Sequence, residues 1–351
     1  MSGTCFVTGG AGFIGCAISE ALAQSFERVI AIDNLHPQIH PVRARPAALA
    51  SGVELIEGDV TAPDMWDALL ASARPDVVVN LAAETGTGQS LTEATRHANV
   101  NVVGTTQMLD ALVRHDALPR RIVLSSSRAV YGEGAWRDAA GGIVYPGQRS
   151  KAMLERGEWD FPGLTCLPFE ATRVEARPTS VYGATKLTQE HVLTAWGLSF
   201  GVEIPILRLQ NVYGRGQSLT NSYTGIVSLF AQMARQGQVI PVYEDGMIIR
   251  DFVYISDVAD AIVRATLNGT PTTEPYDVGS GTATSILDLA RIIAAHYGAP
   301  APAINGKFRN GDVRHASCSI ERTQSDLGWK PRMTLDEGLR DLCGWIDRQL
   351  A

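Results

Sequence analysis

Short apolar runs and longer helix-like patterns alternate through the first half of the chain. The apolar runs cover residues 4–8, 28–33, 53–60, 76–83 and 121–124, with helical patterns between them. Strands that alternate with helices predict a parallel sheet with helices on both faces. The run at 76–83 suits a central strand that is buried on both sides. We therefore predict an α/β protein built on a Rossmann-type, doubly wound parallel sheet.

Glycines follow the first apolar run at the spacing of a nucleotide-binding turn. Glycine permits positive φ, lets the backbone approach a pyrophosphate, and allows a helix to pack closely on a strand. The start of the following helix then offers unpaired amide protons to phosphates. We predict that Gly9, Gly12, Phe13, Ile14 and Gly15 bind a dinucleotide, although a glycine triplet alone also fits an ordinary turn.

An acidic residue, Asp33, ends the second apolar run. A carboxylate at this place accepts hydrogen bonds from a ribose 2′-hydroxyl and repels a 2′-phosphate. Asn34 and Leu35 follow, and no arginine is placed to neutralise an extra phosphate. The sequence therefore favours NAD over NADP as the cofactor.

Composition narrows the functional classes. The 351 residues are 45% hydrophobic, which suffices for a large core, and the net charge of −7 gives no electrostatic footprint for nucleic acid. The five cysteines form no C-x-x-C pair, and no basic leader or long apolar stretch is present. We expect reduced thiols in a cytoplasmic protein without a membrane span. His36 and His40 have helical spacing, but Pro37 and Pro41 favour a loop, so we predict no metal site.

Tyr182 and Lys186 lie four residues apart in a predicted helix, so one face presents a phenol beside an ammonium. A nearby cation lowers the pKa of a phenol towards a value useful for moving a proton off an alcohol. Three serines, ending at Ser127, directly follow the run at 121–124. Taken alone, the first pair also fits an exposed helix, and the serines also fit an ordinary turn.

Together these residues resemble the extended short-chain dehydrogenase/reductase family, in its branch of NAD-dependent nucleotide-sugar epimerases and dehydratases. The resemblance covers nearly the whole chain. Further motifs that carry it lie at residues 101–105, 207–214, 250–254, 276–281 and 327–331.

The resemblance implies a role for each matching residue. Ser127 would hydrogen-bond the reacting sugar hydroxyl, Tyr182 would remove its proton while hydride passes to the nicotinamide, and Lys186 would hold the nicotinamide ribose and keep Tyr182 acidic. Arg250 would grip the substrate diphosphate, although by itself it also fits a surface ion pair with Asp251. The other implied cofactor contacts are Asn34, Asp59, Val60, Leu81, Ala82, Ala83, Asn101 and Ser125. The other implied substrate contacts are Asn211 and Arg314.

The residues after Ser127 favour epimerisation over elimination. Related 4,6-dehydratases carry an Asp-Glu pair there, because loss of water needs its own acid and base, and decarboxylating relatives carry a glutamate. This chain has Arg128 and Ala129. The resemblance implies oxidation at C4 of the sugar and re-reduction on the opposite face, with NAD returned unchanged. A nucleotide-sugar 4-reductase, a 4,6-dehydratase and a non-catalytic NAD-sensing protein remain alternatives.

Residues 133–177 form a connection that is far shorter in most relatives. Trp159, Phe161 and Phe169 argue against simple disorder in this insertion. Two interpretations stay open, a surface insertion that helps dimer contact and an active-site flap that covers the sugar.

Residues 81–90 also depart from the pattern, because many relatives have His-x-Ala there. With the insertion and residues 221–225, this segment is similar to the branch that includes dTDP-L-rhamnose 4-epimerases. That similarity implies a 6-deoxyhexose on a nucleoside diphosphate, although a glycine-rich turn alone also fits mere local geometry. The predicted sugar contacts are Thr87, Gln89, Ser90, Asn221 and Tyr223.

These placements imply two domains. Residues 1–205 and 240–272 are predicted to bind NAD, and residues 206–239 and 273–351 to form a smaller α/β domain for the nucleotide sugar, with a cleft between them. The resemblance implies a homodimer held by the helices after Gln89 and around Tyr182.

Overall fold

Strands and helices alternate along much of the chain in the computed structural model, which describes residues 3–219 and 225–351. In chain order the strands are β1 Thr4–Thr8, β2 Arg28–Asp33, β3 Val53–Glu57, β4 Val77–Asn80, β5 Arg121–Ser127, β6 Trp136–Arg137, β7 Ile143–Val144, β8 Thr165–Cys166, β9 Ile206–Leu209, β10 Asn211–Tyr213, β11 Pro241–Val242, β12 Ile249–Arg250, β13 Phe252–Tyr254, β14 Tyr276–Val278, β15 Thr284–Ser285, β16 Ala303–Ile304 and β17 His315–Ala316. The α-helices are α1 Phe13–Ser25, α2 Pro63–Ser72, α3 Ala94–Ala98, α4 Gly104–Arg114, α5 Lys151–Glu155, α6 Val181–Phe200, α7 Ile226–Arg235, α8 Ile255–Asn268, α9 Ile286–Tyr297, α10 Glu321–Leu327 and α11 Leu335–Gln349.

A seven-stranded sheet forms the centre of the protein, with the spatial order β14-β9-β5-β4-β1-β2-β3. All neighbouring strands in it are parallel. The four residues of β4 are all buried, because helices cover both faces of the sheet. The prediction of a Rossmann-type α/β fold is confirmed.

A second, smaller core lies beside this sheet. It is formed by β13, α7, α9 and α11, with Ile240, Val242 and Ile248 from the segment before β13. Two predicted boundaries are corrected by these contacts. Residues 206–209 and 276–278 belong to the central sheet, because apolar β9 and β14 extend it beyond β5. Residues 240–254 pack in the smaller core, and only α8 returns to the first unit, where it contacts α1.

The insertion 133–177 folds into a small antiparallel sheet of order β7-β6-β8, followed by an irregular segment. The ring of Phe169 stacks on Tyr131, with ring centroids 4.4 Å apart, and its backbone bridges to Cys318. The backbone N–H of Ala171 donates to Asp277 at 2.9 Å. The insertion is therefore attached to the C-terminal part of the chain at several points.

The described helices were also compared with the length and hydrophobicity of a membrane-spanning helix. Within residues 3–219 and 225–351, none has the length and apolar character that a membrane span requires. Helix α11 buries Leu339, Leu342 and Ile346 on one face, as its apolar spacing predicts.

Candidate active site

A cavity of about 880 Å³ opens beyond the carboxyl ends of the central strands. The strand order reverses between β1 and β4, and ligands of open α/β sheets bind in the crevice at such a point. The loops after β1 to β5 line the cavity, together with the start of α6 and residues 209–212 and 215–218. The predicted residues that line it are Gly9, Gly12, Phe13, Ile14, Gly15, Asp33, Asn34, Asp59, Val60, Leu81, Ala82, Ala83, Thr87, Ser125, Ser127, Tyr182, Lys186 and Asn211.

The glycine loop has the geometry that a bound pyrophosphate needs. Gly9 has φ of +66°, and a Cβ on Gly15 would lie 2.5 Å from the carbonyl oxygen of Gly10, so α1 packs directly on the loop. Helix α1 begins at Phe13, and no side chain caps its first turn. Its free amide protons therefore face the cavity, where they suit phosphate oxygens.

Asp33 is held in place by the backbone around it. Its two carboxylate oxygens accept hydrogen bonds from the N–H of Ala11 at 3.0 Å and of Leu35 at 2.9 Å. The fixed carboxylate lies at the cavity wall, where it accepts from ribose hydroxyls and repels an extra phosphate. Asp59 is fixed in the same way by Thr61, and its pKa is lowered by those hydrogen bonds, which outweigh its partial burial. This side of the cavity therefore fits NAD.

Ser127, Tyr182 and Lys186 all line the same cavity. Ser127 ends β5, and α6 begins at Val181 with Ser180 as its N-cap, accepting from the N–H of Gly183. The Tyr182 phenol hydrogen-bonds the Ser127 side chain. Two unconnected parts of the chain thus place a hydroxyl, a phenol and an amine on one wall.

The protonation of this group differs from the expectation. Burial raises the pKa of Tyr182, although the hydrogen bond with Ser127 and the charge of Arg128 act in the lowering direction. Burial lowers the pKa of Lys186 to about 7, while Glu190 one turn later opposes that fall. Burial thus outweighs the lowering effects of Ser127 and Arg128 on the pKa of Tyr182, and the predicted lowering by Lys186 stays a prediction.

A buried polar chain lies beneath Lys186. Glu190 accepts from Ser126 Oγ at 2.5 Å and from Arg208 Nη2 at 2.7 Å. The Arg208 guanidinium lies over the ring of Tyr131, 4.7 Å from its centroid. The Tyr131 hydroxyl donates to Asp277, whose pKa burial raises to about 7. These contacts join α6 to β5, β9 and β14 and fix the wall on which Lys186 lies.

Three predicted contacts support the wall instead of lining the cavity. Asn101 is fully buried, and its amide accepts from the N–H of Glu84 at 2.8 Å and donates to Thr185 Oγ1 at 2.9 Å. Gln89 is bonded to Gln38 and Glu93. Ser90 Oγ accepts from the N–H of Tyr182 at 3.1 Å. The assignments of Asn101, Gln89 and Ser90 to ligand contact are corrected, because each polar side chain is already used to hold residues 84–90 against α6.

Arg314 also lies away from the cavity. Its guanidinium, 4% exposed, contacts three carboxylates, with Nε to Asp160 at 2.7 Å, Nη1 to Asp245 at 2.7 Å and Nη1 to Glu244 at 3.1 Å. Buried Arg149 of the insertion binds the same Glu244 through both terminal nitrogens, at 2.8 and 2.9 Å. We call Arg149, Arg314, Glu133, Asp160, Glu244 and Asp245 the insertion cluster. The predicted role of Arg314 in substrate binding is corrected, because these carboxylates occupy its donors.

Asn211 and Arg250 lie near Arg128, which the sequence did not assign to binding. Arg128 lines the cavity and donates from Nε to Asn211 Oδ1 at 2.7 Å. Arg250 is buried in β12 near Arg128. Burial and the charge of Arg250 lower the pKa of Arg128, and burial also lowers the pKa of Arg250. The sequence could have indicated Arg128 as a binding residue, because Arg128 directly follows Ser127. The predicted contacts Asn221 and Tyr223 lie outside the described residues.

The insertion contributes no lining residue to the cavity among those described. The flap interpretation therefore has no contact to support it in this structure. The dimer interpretation stays a prediction.

Comparison with known proteins decides the family. A family model described as the NAD dependent epimerase/dehydratase family matches residues 5–152 and 162–279. The chain belongs to this family. The unmatched stretch between the two segments lies within the insertion.

Individual relatives in the NAD-dependent epimerase/dehydratase family are sugar-nucleotide epimerases. The chain is 61% identical to dTDP-L-rhamnose 4-epimerase of Burkholderia thailandensis, over 98% of this chain and 95% of that protein. The solved structure of UDP-glucose 4-epimerase with UDP-glucose from Thermotoga maritima is similar with a TM-score of 0.82 and 25% identity, covering 99% of this chain and 100% of that one. UDP-glucose 4-epimerase of Thermus thermophilus, in complex with NAD, gives a TM-score of 0.77 and 27% identity, covering 98% and 99%. The predictions of an NAD-dependent nucleotide-sugar epimerase and of NAD as its cofactor are confirmed.

Proposed function

We propose that the protein inverts C4 of a dTDP-linked 6-deoxyhexose of the L-rhamnose type. The observation that carries the chemistry is that Ser127, Tyr182 and Lys186 line the same cavity as the glycine loop. The 61% identity to dTDP-L-rhamnose 4-epimerase supports the choice of sugar and nucleotide. NAD supplies a reversible hydride acceptor that is returned unchanged in each turnover.

The chain's own residues handle the proton. Ser127 holds the C4 hydroxyl. Tyr182, which is hydrogen-bonded to Ser127, takes the proton of that hydroxyl as a general base. It returns the proton after the keto sugar has rotated to present its opposite face. Lys186 would bind the nicotinamide ribose, and in its protonated form it adds positive charge beside Tyr182. Glu190 keeps Lys186 closer to its charged form, since its carboxylate raises the pKa of Lys186 against the effect of burial.

The site carries no acid–base pair for elimination next to Ser127. Arg128 and Ala129 occupy the two following positions. Removal of water across C5 and C6 needs a second base and a second acid. The arrangement therefore supports reversible oxidation at one carbon, which is sufficient for epimerisation.

The wider setting of the enzyme is also part of the proposal. The proposed substrate contacts are Thr87 and Asn211, which line the cavity, and Arg250, which is buried in β12 and is not one of the lining residues. We further propose a cytoplasmic homodimer whose contact uses α6 and the helical run from α3 to α4. Val103 and Val113 on that run and Leu198 and Phe200 on α6 are exposed, as an interface between copies requires.

Incubation of the purified protein with dTDP-L-rhamnose tests this function. NMR spectroscopy should show conversion to the C4 epimer without net consumption of NADH and without an elimination product. Tyr182→Phe should lower kcat by about 10²- to 10⁴-fold, because it removes the general base. Tyr243→Phe is the matched control, since Tyr243 lies under Arg309 and is not among the cavity-lining residues. Full activity of Tyr182→Phe, or no C4 inversion by the unaltered protein with any 4-hydroxy sugar nucleotide, would contradict the proposal.

A further inference from the structure

Arg128 offers unused hydrogen-bond donors to the cavity. Its Nε donates to Asn211 Oδ1 at 2.7 Å. Within the described part of the chain, neither terminal nitrogen makes a hydrogen bond or has a carboxylate within 4 Å. A guanidinium carries five N–H donors, and Arg128 uses only the one on Nε. The fork of Arg128 is therefore free for a ligand.

The electrostatic setting of Arg128 calls for an anion. Burial and the charge of nearby Arg250 lower the pKa of Arg128 to about 9. Asp312 and Glu133 act on Arg128 in the opposite direction, and neither makes a salt bridge with it. Two like charges in a partly buried site are costly unless a ligand of opposite charge compensates them. Two arginines match the two negative charges of a diphosphate.

The hydrogen-bond pattern points the same way. Because Asn211 Oδ1 accepts from Arg128, the amide nitrogen of Asn211 is left as the group that faces a ligand. No hydrogen bond of that nitrogen is made within residues 3–219 and 225–351. Arg128 and Asn211 thus present donors that have no acceptor among the described residues, whereas Arg250 Nη1 donates to the carbonyl oxygen of Ile249 at 2.7 Å. A sugar hydroxyl is both donor and acceptor, whereas phosphate oxygens only accept, so this set suits phosphate better.

We propose that Arg128 binds the diphosphate of the nucleotide sugar, with Asn211 and Arg250, and contacts the phosphate that bears the sugar. This inference rests on the proposed function. The position of Arg128 directly after Ser127 selects the sugar-bearing phosphate, since Ser127 lies at the reacting carbon in the proposed function. Arg128 also fixes which end of the Asn211 amide faces the substrate. It is therefore both a binding residue and a positioning residue.

Calorimetric titration with dTDP and dTMP tests this assignment in the NAD-containing protein. Arg128→Gln should weaken dTDP binding by about 10- to 100-fold, the loss typical of a charged hydrogen-bond donor. The affinity for dTMP, which lacks the second phosphate, should change by less than about threefold. Arg173→Gln is the matched control, because Arg173 is on the surface with 79% of its side chain exposed. It should bind both nucleotides like the unaltered protein.

Each other outcome has a definite meaning. If Arg128→Gln binds dTDP within about twofold of the unaltered protein, the assignment is wrong, and a loss confined to the sugar-bearing nucleotide would assign Arg128 to the sugar instead. If the unaltered protein binds neither dTDP nor UDP, the proposed function fails, whatever Arg128 does. Bound NAD and Tm report folding of each variant. Should Arg128→Gln not fold, Arg128→Met keeps the length of the stem and decides by the same comparison.

Steady-state kinetics separate binding from mere support of the wall. The proposed contact predicts a raised KM for the nucleotide sugar that parallels the lost dTDP affinity. Arg128→Lys should recover part of the dTDP affinity, because it restores the charge without the fork. A fall in kcat at unchanged KM and unchanged dTDP affinity would overturn the assignment.

Discussion

Two groups of buried or half-buried arginines differ in how their charges are balanced. In the insertion cluster, Arg149 and Arg314 contact carboxylates within 4 Å. Arg128 at the cavity wall and Arg250 in β12 have no carboxylate within 4 Å among the described residues. A buried charge must be compensated, so a balanced arginine belongs to the structure and an unbalanced one is available to a ligand. Burial alone therefore does not identify a binding arginine, and the partner carboxylates do.

The most destructive change to the balanced group is Arg149→Met. It leaves buried Glu133 without its ion-pair partner and Glu244 with Arg314 alone, and it should destabilise the protein by about 3–5 kcal/mol in urea unfolding. Arg156→Met in the same insertion is the control, because its pair with Glu158 is exposed and should contribute less than about 1 kcal/mol. Equal effects of the two changes would break the comparison.

Arg314→Gln should show the opposite behaviour to Arg128→Gln. Its partners Asp160 and Asp245 are partly exposed, so the loss of stability should be smaller, about 1–3 kcal/mol. The affinity for dTDP should stay within about twofold, because the donors of Arg314 are already occupied. Weakened dTDP binding at unchanged stability would return Arg314 to the substrate site.

Glu133 gives the balanced group a pH dependence. Burial raises its pKa to about 7, against the lowering effects of the Arg314 backbone N–H and Arg149. The folded state therefore holds this proton more tightly than the unfolded state, and the contribution to stability is lost as pH rises from about 4.5 to 7. Glu133→Gln should remove about 3 kcal/mol of that fall, measured as the difference between the two unfolding curves across pH. Parallel curves would show that folding leaves the pKa of Glu133 unshifted.

The smallest effect concerns the contact between Arg128 and Asn211. A double-mutant cycle with Arg128→Gln and Asn211→Ala, read out as dTDP affinity, should give a coupling energy of about 1 kcal/mol. The reason is that Arg128→Gln frees the Asn211 amide from its fixed orientation, whereas Asn211→Ala removes the amide and the acceptor of Arg128 Nε. Strict additivity would mean that the two residues bind the ligand independently.

The sequence predicted the parts of the site that depend on local backbone. Gly9 to Gly15, Asp33, Ser127 and Tyr182 directly follow strands or start helices, and the parallel topology brings such positions to one edge of the sheet. Arg314 was misassigned, because the carboxylates that occupy it come from segments 69 to 154 residues away in the chain. Domain boundaries shifted for a similar reason, since β9 and β14 join the sheet through pairing that no local pattern encodes.

The pKa of Tyr182 was also beyond local reasoning. The spacing to Lys186 suggested a lowered value, yet burial by residues distant in sequence dominates in the folded protein. Desolvation depends on the whole surroundings of a group, whereas a helical i,i+4 pair reports one neighbour only. Functional placement could therefore be read from the sequence, but protonation could not.

Retention of an isotope at C4 tests the central chemical claim most directly. The nucleotide sugar is prepared with deuterium at C4, and its epimer is analysed by NMR spectroscopy and mass spectrometry. Because hydride is stored on NAD and returned within one site, the product should keep the deuterium at C4. In the reverse experiment, unlabelled substrate in D₂O should gain no deuterium at C4. Loss of the label to solvent during inversion would show that a proton is removed from carbon, and that result would contradict the account.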